Sequence, residues 1–207
     1  PLFISEGYFT EEVIPRELGL SGPAPSVTER PGRSIHYCSP VGTHPWMTRM
    51  ILQRAEETAG MNDDEAREAG LIIIGHGTER NTNSAEVIYR VTEEARAANV
   101  FGSVATGFLD QHPDVAEVLT GMADRDVVLV PFFVAEGWHT QETIPDDLGI
   151  NRPAISPVTE LNGRLVHYAA PVGTFPEVAD IIQQRAREAG IFTGAYHFFT
   201  FCSPGDA

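Results

Sequence analysis

Two histidines follow apolar runs at places where a chain of alternating strands and helices puts its working side chains. His76 lies in Gly75-His76-Gly77-Thr78, directly after Leu71-Ile72-Ile73-Ile74, and His139 closes Glu136-Gly137-Trp138-His139 after a further apolar run. Between them, Asp110 ends Gly107-Phe108-Leu109-Asp110. A neutral imidazole binds a borderline divalent ion through a ring nitrogen at about 2.0–2.1 Å, and glycines beside it admit a bulky ligand. His76, Asp110 and His139, with Glu136 close by, therefore suit cobalt, nickel, iron or zinc better than magnesium. Each also has a plainer use. His76 suits a hydrogen-bonded loop, Asp110 suits the cap of a helix starting near Pro113, and Trp138 suits the core or a flat ligand. His36, His112 and His167 suit structural places.

An internal repeat sharpens the choice. Pro1-Leu-Phe-Ile-Ser-Glu-Gly-Tyr-Phe9-Thr is answered about 130 residues later by Pro131-Phe-Phe-Val-Ala-Glu-Gly-Trp-His139-Thr. The match resumes with His36-Tyr-Cys-Ser-Pro-Val-Gly-Thr against His167-Tyr-Ala-Ala-Pro-Val-Gly-Thr. Glycines, prolines and apolar runs are kept, whereas Phe9 stands opposite His139. Fold is thus expected to be common to both copies and chemistry to differ, with the second copy active.

Side chains at 76, 110 and 139 can meet only if their strands end side by side. From Leu71 onward, short apolar runs alternate with periodic segments, the pattern of βαβ units and a parallel sheet. Strands are expected at 71–74, 101–109, 127–134 and 165–169, and helices at 83–98, 113–123, 140–148 and 176–189. The chain is thus expected to hold the later half of a first module at 1–60, an acidic linker or exposed helical turn at 61–69, a complete module at 70–190 and an apolar tail at 191–207. A segment upstream of Pro1 is expected to complete the first module.

The bulk composition narrows the class. At 207 residues with 42% apolar content, the chain can bury an ordinary core. A formal charge of −15 argues against nucleic acid and anionic membranes as partners. All 14 basic residues are arginine, which rules out Schiff-base lysine chemistry and the lysine of a phosphate loop. Cys38 and Cys202 form no metal-binding or disulfide pattern, and a reducing cytoplasm is the expected location. Gly75-His76-Gly77-Thr78 lacks the third glycine of a dinucleotide fingerprint.

Taken together, these residues resemble the class II tetrapyrrole chelatases, specifically the CbiX-type sirohydrochlorin cobaltochelatases. The resemblance rests on Gly75-His76-Gly77-Thr78 with Arg80, on Phe108-Leu109-Asp110 with Pro113, on Val130 to His139 running to Ile144-Pro145, and on Tyr168-x-x-Pro171-x-Gly173-x-x-Pro176. It implies an α/β fold of two chelatase-like modules, each a parallel sheet flanked by helices, facing each other across a cleft. It implies a lyase that inserts a divalent metal into sirohydrochlorin or a related tetrapyrrole, in cobalamin or sirohaem synthesis. Cobalt is the expected metal substrate, with iron or nickel as alternatives, and no organic prosthetic group is expected. His76 and His139 are the expected catalytic and metal residues, with Asp110 and Glu136 as further ligands. Thr78, Arg80 and Trp138 are expected to meet the tetrapyrrole. Arg80 and Arg152 are candidates to pair with its carboxylates. The family usually has glutamate at 110 and aspartate at 143, where this chain has Asp110 and Thr143. Expected partners are a tetrapyrrole and either a second copy or further domains. The alternative is a chelatase-like module that binds metal or tetrapyrrole without inserting one into the other.

Overall fold

The computed structural model describes residues 1–78, 83–152 and 155–191. Arg80 and all of the apolar tail after Ile191 lie outside these residues. The apolar run at Gly70–Gly75 forms β3, an interior strand of a five-stranded sheet and buried along its whole length. Strand β4 (Ser103–Phe108) pairs with one edge of β3 and β5 (Asp126–Pro131) with the other, both parallel. Next to β5 lies β7 (Arg164–Tyr168), also parallel, and β6 (Val158–Leu161) closes the sheet as an antiparallel neighbour of β7. The order is β4-β3-β5-β7-β6. In the first copy, β1 (Ser26–Arg30) and β2 (Arg33–Tyr37) form the hairpin that corresponds to β6 and β7.

Successive side chains of a strand point to opposite faces, and the sheet buries both. Ile72, Ile74, Val127, Leu129 and Val166 face α5 (Val115–Gly121) and α6 (Ile144–Leu148). Leu71, Ile73, Val128 and Val130 face α4 (Asn83–Ala98) and, unexpectedly, α2 (Trp46–Ala59), which belongs to the first copy. Met47, Met50, Ile51 and Ala55 recur at helical spacing along α2 and carry it onto the second copy's sheet. Helix α7 (Val178–Glu188) of the second copy reaches back to the turn at Val41–Thr43 of the first.

This exchange is reciprocal. Arg54 on α2 donates to Thr174 Oγ1 at 3.0 Å, and its repeat equivalent Arg185 on α7 donates to Thr43 Oγ1 at 2.8 Å. Each threonine hydroxyl in turn donates to a proline carbonyl three residues earlier. Arg54 stacks over Phe175 at 3.6 Å, whereas at the equivalent place the charge of Arg185 acts on His44.

Of the two forms expected for residues 61–69, they take the exposed helical turn. Asn62 and Glu65 form a capping box over α3 (Asp63–Glu68), whose Ala66 enters the core. The helix expected at 140–148 is divided. A π-helical turn at His139–Thr143 leads into α6, with the same division at Phe9–Val13 and α1 (Ile14–Leu18) in the first copy. Among the described residues, no helix is long and apolar enough to cross a membrane.

Candidate active site

Parallel strands bring their carboxyl ends to one edge, where groups from neighbouring loops can meet. The register sets Gly75 opposite Phe108 and Ile74 opposite Pro131, so the segments bearing His76, Asp110 and His139 leave the sheet side by side. Gly77 turns the first of these loops with φ +76°, a conformation costly for a side-chain-bearing residue. Asp110 N then donates to His76 O at 2.9 Å, tying the second loop to the first.

His76 and His139 meet edge to face, with ring centroids 4.7 Å apart and planes at 80°. His76 Nδ1 lies 3.3 Å from Asp110 Oδ2 and 3.1 Å from Gly77 O. Both neighbours are acceptors, which assigns the proton to Nδ1 and leaves Nε2 with its lone pair. A carboxylate behind an imidazole is the arrangement that orients a metal-binding histidine. Phe133, which sequence reasoning did not single out, stands 6.2 Å from the His76 ring and 6.5 Å from the His139 ring, an apolar wall shared by both.

The turn under His139 is braced twice. Gly137 N donates to Thr140 Oγ1 at 3.0 Å and that hydroxyl donates back to Gly137 O at 3.1 Å. The buried Tyr168 hydroxyl donates to Thr140 O at 2.8 Å, and burial pushes its phenol well above the ordinary range. Gly7, Thr10 and Tyr37 repeat every one of these bonds beneath Phe9. The two copies thus hold the same backbone device and differ in the side chain that it presents.

The remaining candidates divide. Asp110 is not a helix cap, because Asp114 takes that place by accepting from Ala116 N and Glu117 N. Glu136 is exposed on the loop before His139 and makes no hydrogen bond or ion pair with the two histidines or Asp110 among the described residues. Trp138 is 74% exposed, which removes the core reading. Arg152 is held by Glu142, by Asp146 at 3.2 Å and by Gln141 O at 2.9 Å, so its guanidinium braces the start of α6. Among the described residues, no three His, Cys, Asp or Glu side chains converge as a closed metal cage would require. Thr78 lies on the wall of a cavity of about 710 Å³ whose other walls come from the first copy, Glu6, Tyr8, Phe9, Glu11 and Glu12 among them. That volume is in the range of small-molecule sites.

Two imidazoles side by side, one with its tautomer fixed by Asp110 and Gly77 O, can hold a divalent ion loosely and accept protons when it leaves. Comparison with known proteins agrees with this chemistry. A model of the family CbiX matches residues 1–58 and 70–189. A protein of Halobacterium salinarum described as a probable sirohydrochlorin cobaltochelatase is 42% identical, over 94% of this chain and 72% of its own length. The sirohydrochlorin cobaltochelatase of Methanothermobacter thermautotrophicus is 28% identical over 62% of this chain and 97% of its own. Among solved structures, a multi-domain Deinococcus radiodurans protein with structural similarity to chelatases superposes with a TM-score of 0.73 at 28% identity. That match covers 91% of this chain and 40% of the Deinococcus protein.

Proposed function

The chain belongs to the CbiX family, and on that premise we propose that it is a class II chelatase inserting cobalt(II) into sirohydrochlorin. The pairing of His76 with His139 beside Asp110 carries this reading. Insertion exchanges one divalent ion for two pyrrole protons. In the proposed mechanism, His76 Nε2 and a ring nitrogen of His139 hold the incoming ion. As it passes to the pyrrole nitrogens, the two imidazoles regain their lone pairs and take the two protons released. Imidazole suits both tasks, since its ordinary pKa of about 6.5 leaves it neutral for ligation yet basic enough to accept a proton.

Asp110 keeps the His76 proton on Nδ1 during ligation and stabilises the imidazolium afterwards. Thr78 and the exposed Trp138 are proposed to meet the macrocycle, whose flat face suits an aromatic side chain. Glu136, exposed and apart from the histidines, is proposed to meet the ion only during its approach.

The direct test is the absorption of sirohydrochlorin with cobalt over time. Loss of the free-base bands faster than in a protein-free control supports insertion. Cobalt binding without acceleration would favour the alternative, a module that binds metal or tetrapyrrole only. The shorter carboxylate at Asp110, where the family usually has glutamate, motivates that alternative.

A further inference from the structure

The pairing of β3 with β4 does not stop where the strands end. Leu109 N donates to both Gly75 O and His76 O at 3.2 Å, and Asp110 N donates to His76 O at 2.9 Å. The next rung is made by a side chain. Thr78 N donates to Gln111 Oε1 at 3.0 Å. The partner is an N–H group, which fixes the amide orientation with the oxygen inward. Gly77, between the two tied residues, packs closely against this rung, since a Cβ there would lie 2.8 Å from Gln111 Cγ and 3.1 Å from Phe108 Cβ. The loop bearing His76 is thus tied on its entry side by backbone bonds and on its exit side by Gln111. The same rung holds Thr78, which lines the cavity shared with the first copy.

We infer that Gln111 is a positioning residue for metal delivery, fixing the loop 75–78 so that the His76 ring stays beside that of His139 while Thr78 stays on the cavity wall. The inference rests on the chelatase reading for its kinetic consequence, but the latch itself is testable without turnover. Removing the rung takes the acceptor from Thr78 N in a loop whose central glycine is permissive, so the imidazole samples directions that do not share an ion with His139. The effect falls first on the concentration of metal needed, because the histidines remain chemically intact.

The test compares Gln111→Ala with Gln111→Glu, which retains an oxygen acceptor at the same reach. Four quantities are measured: cobalt affinity by titration, KM for cobalt and kcat in the insertion assay, and hydrogen exchange of the Thr78 amide. The expected result for Gln111→Ala is faster Thr78 exchange and a roughly three- to tenfold weaker cobalt affinity and higher KM, the scale of one neutral hydrogen bond. Gln111→Glu should restore both. Weakening in Gln111→Ala without restoration in Gln111→Glu, or faster exchange with unchanged cobalt affinity, overturns the inference. Should the parent protein bind cobalt but insert none, the chelatase reading fails, and affinity with exchange still decides the latch.

Discussion

At the scale of single residues, two aspartates four positions apart do the two jobs that the sequence offered to Asp110 alone. Asp110 backs His76 at 3.3 Å, and Asp114 caps α5 through two backbone amides. Their substitutions should separate accordingly. Asp110→Asn keeps an acceptor near Nδ1 but loses the charge that stabilises an imidazolium, and insertion should slow about 10- to 100-fold with little change in stability. Asp114→Ala should cost about 1 kcal/mol of stability and leave KM for cobalt unaltered. Urea unfolding beside the absorption assay checks both, and a slow Asp114→Ala enzyme of normal stability would reverse the assignment. Residue types and spacing made His76, His139 and Asp110 legible. Phe133 and Gln111 were not, because an apolar strand end and a loop amide acquire meaning only once their neighbours are known.

Among the elements, the core of the second copy depends on a helix from the first. Ile51 on α2 is fully buried in the same core cluster as Ile73 and Val130 of the second copy's sheet. Ile51→Ala should therefore destabilise the whole sheet by about 2–5 kcal/mol in one cooperative transition, read by thermal or urea unfolding. Independent modules would give two transitions with only one displaced. The junction should also respond to acid. Burial, then the charge of Arg185, hold the His44 imidazole below its ordinary range, against the opposing pull of Glu188. The unfolded chain then takes up this proton first, so stability falls as pH drops below about 6.5 and levels off at the lowered folded value. His44→Phe, the residue that the repeat carries as Phe175, should flatten that part of the profile, and an unchanged slope would refute the assignment. The βα pattern was readable from apolar runs. The hairpins β1-β2 and β6-β7 were not read, although Asn162-Gly163, with φ of 54° and 78°, is a strong turn signal. The exchange of α2 and α7 left no trace in periodicity, since a helix shows which face it buries and not against which sheet.

For the whole molecule, charge and asymmetry govern the reaction. The chain carries −15, and Glu6, Glu11 and Glu12 line the cavity beside Thr78, so its field attracts a divalent cation and repels a polycarboxylate macrocycle. Raising ionic strength from about 0.01 M to 0.15 M shortens the screening length from roughly 30 Å to 8 Å. KM for sirohydrochlorin should then fall while KM for cobalt rises, and steady-state kinetics in which both rise together would contradict this field. Asymmetry is the deeper claim: one backbone device, built twice, presents Phe9 in one copy and His139 in the other. The most direct measurement is the cobalt insertion time course of His139→Phe, which makes the two positions alike. A rate lower by about 100-fold or more, from a protein that unfolds at the parent's midpoint, is the expected result. Insertion at the parent's rate would contradict a catalytic centre built on His76 and His139.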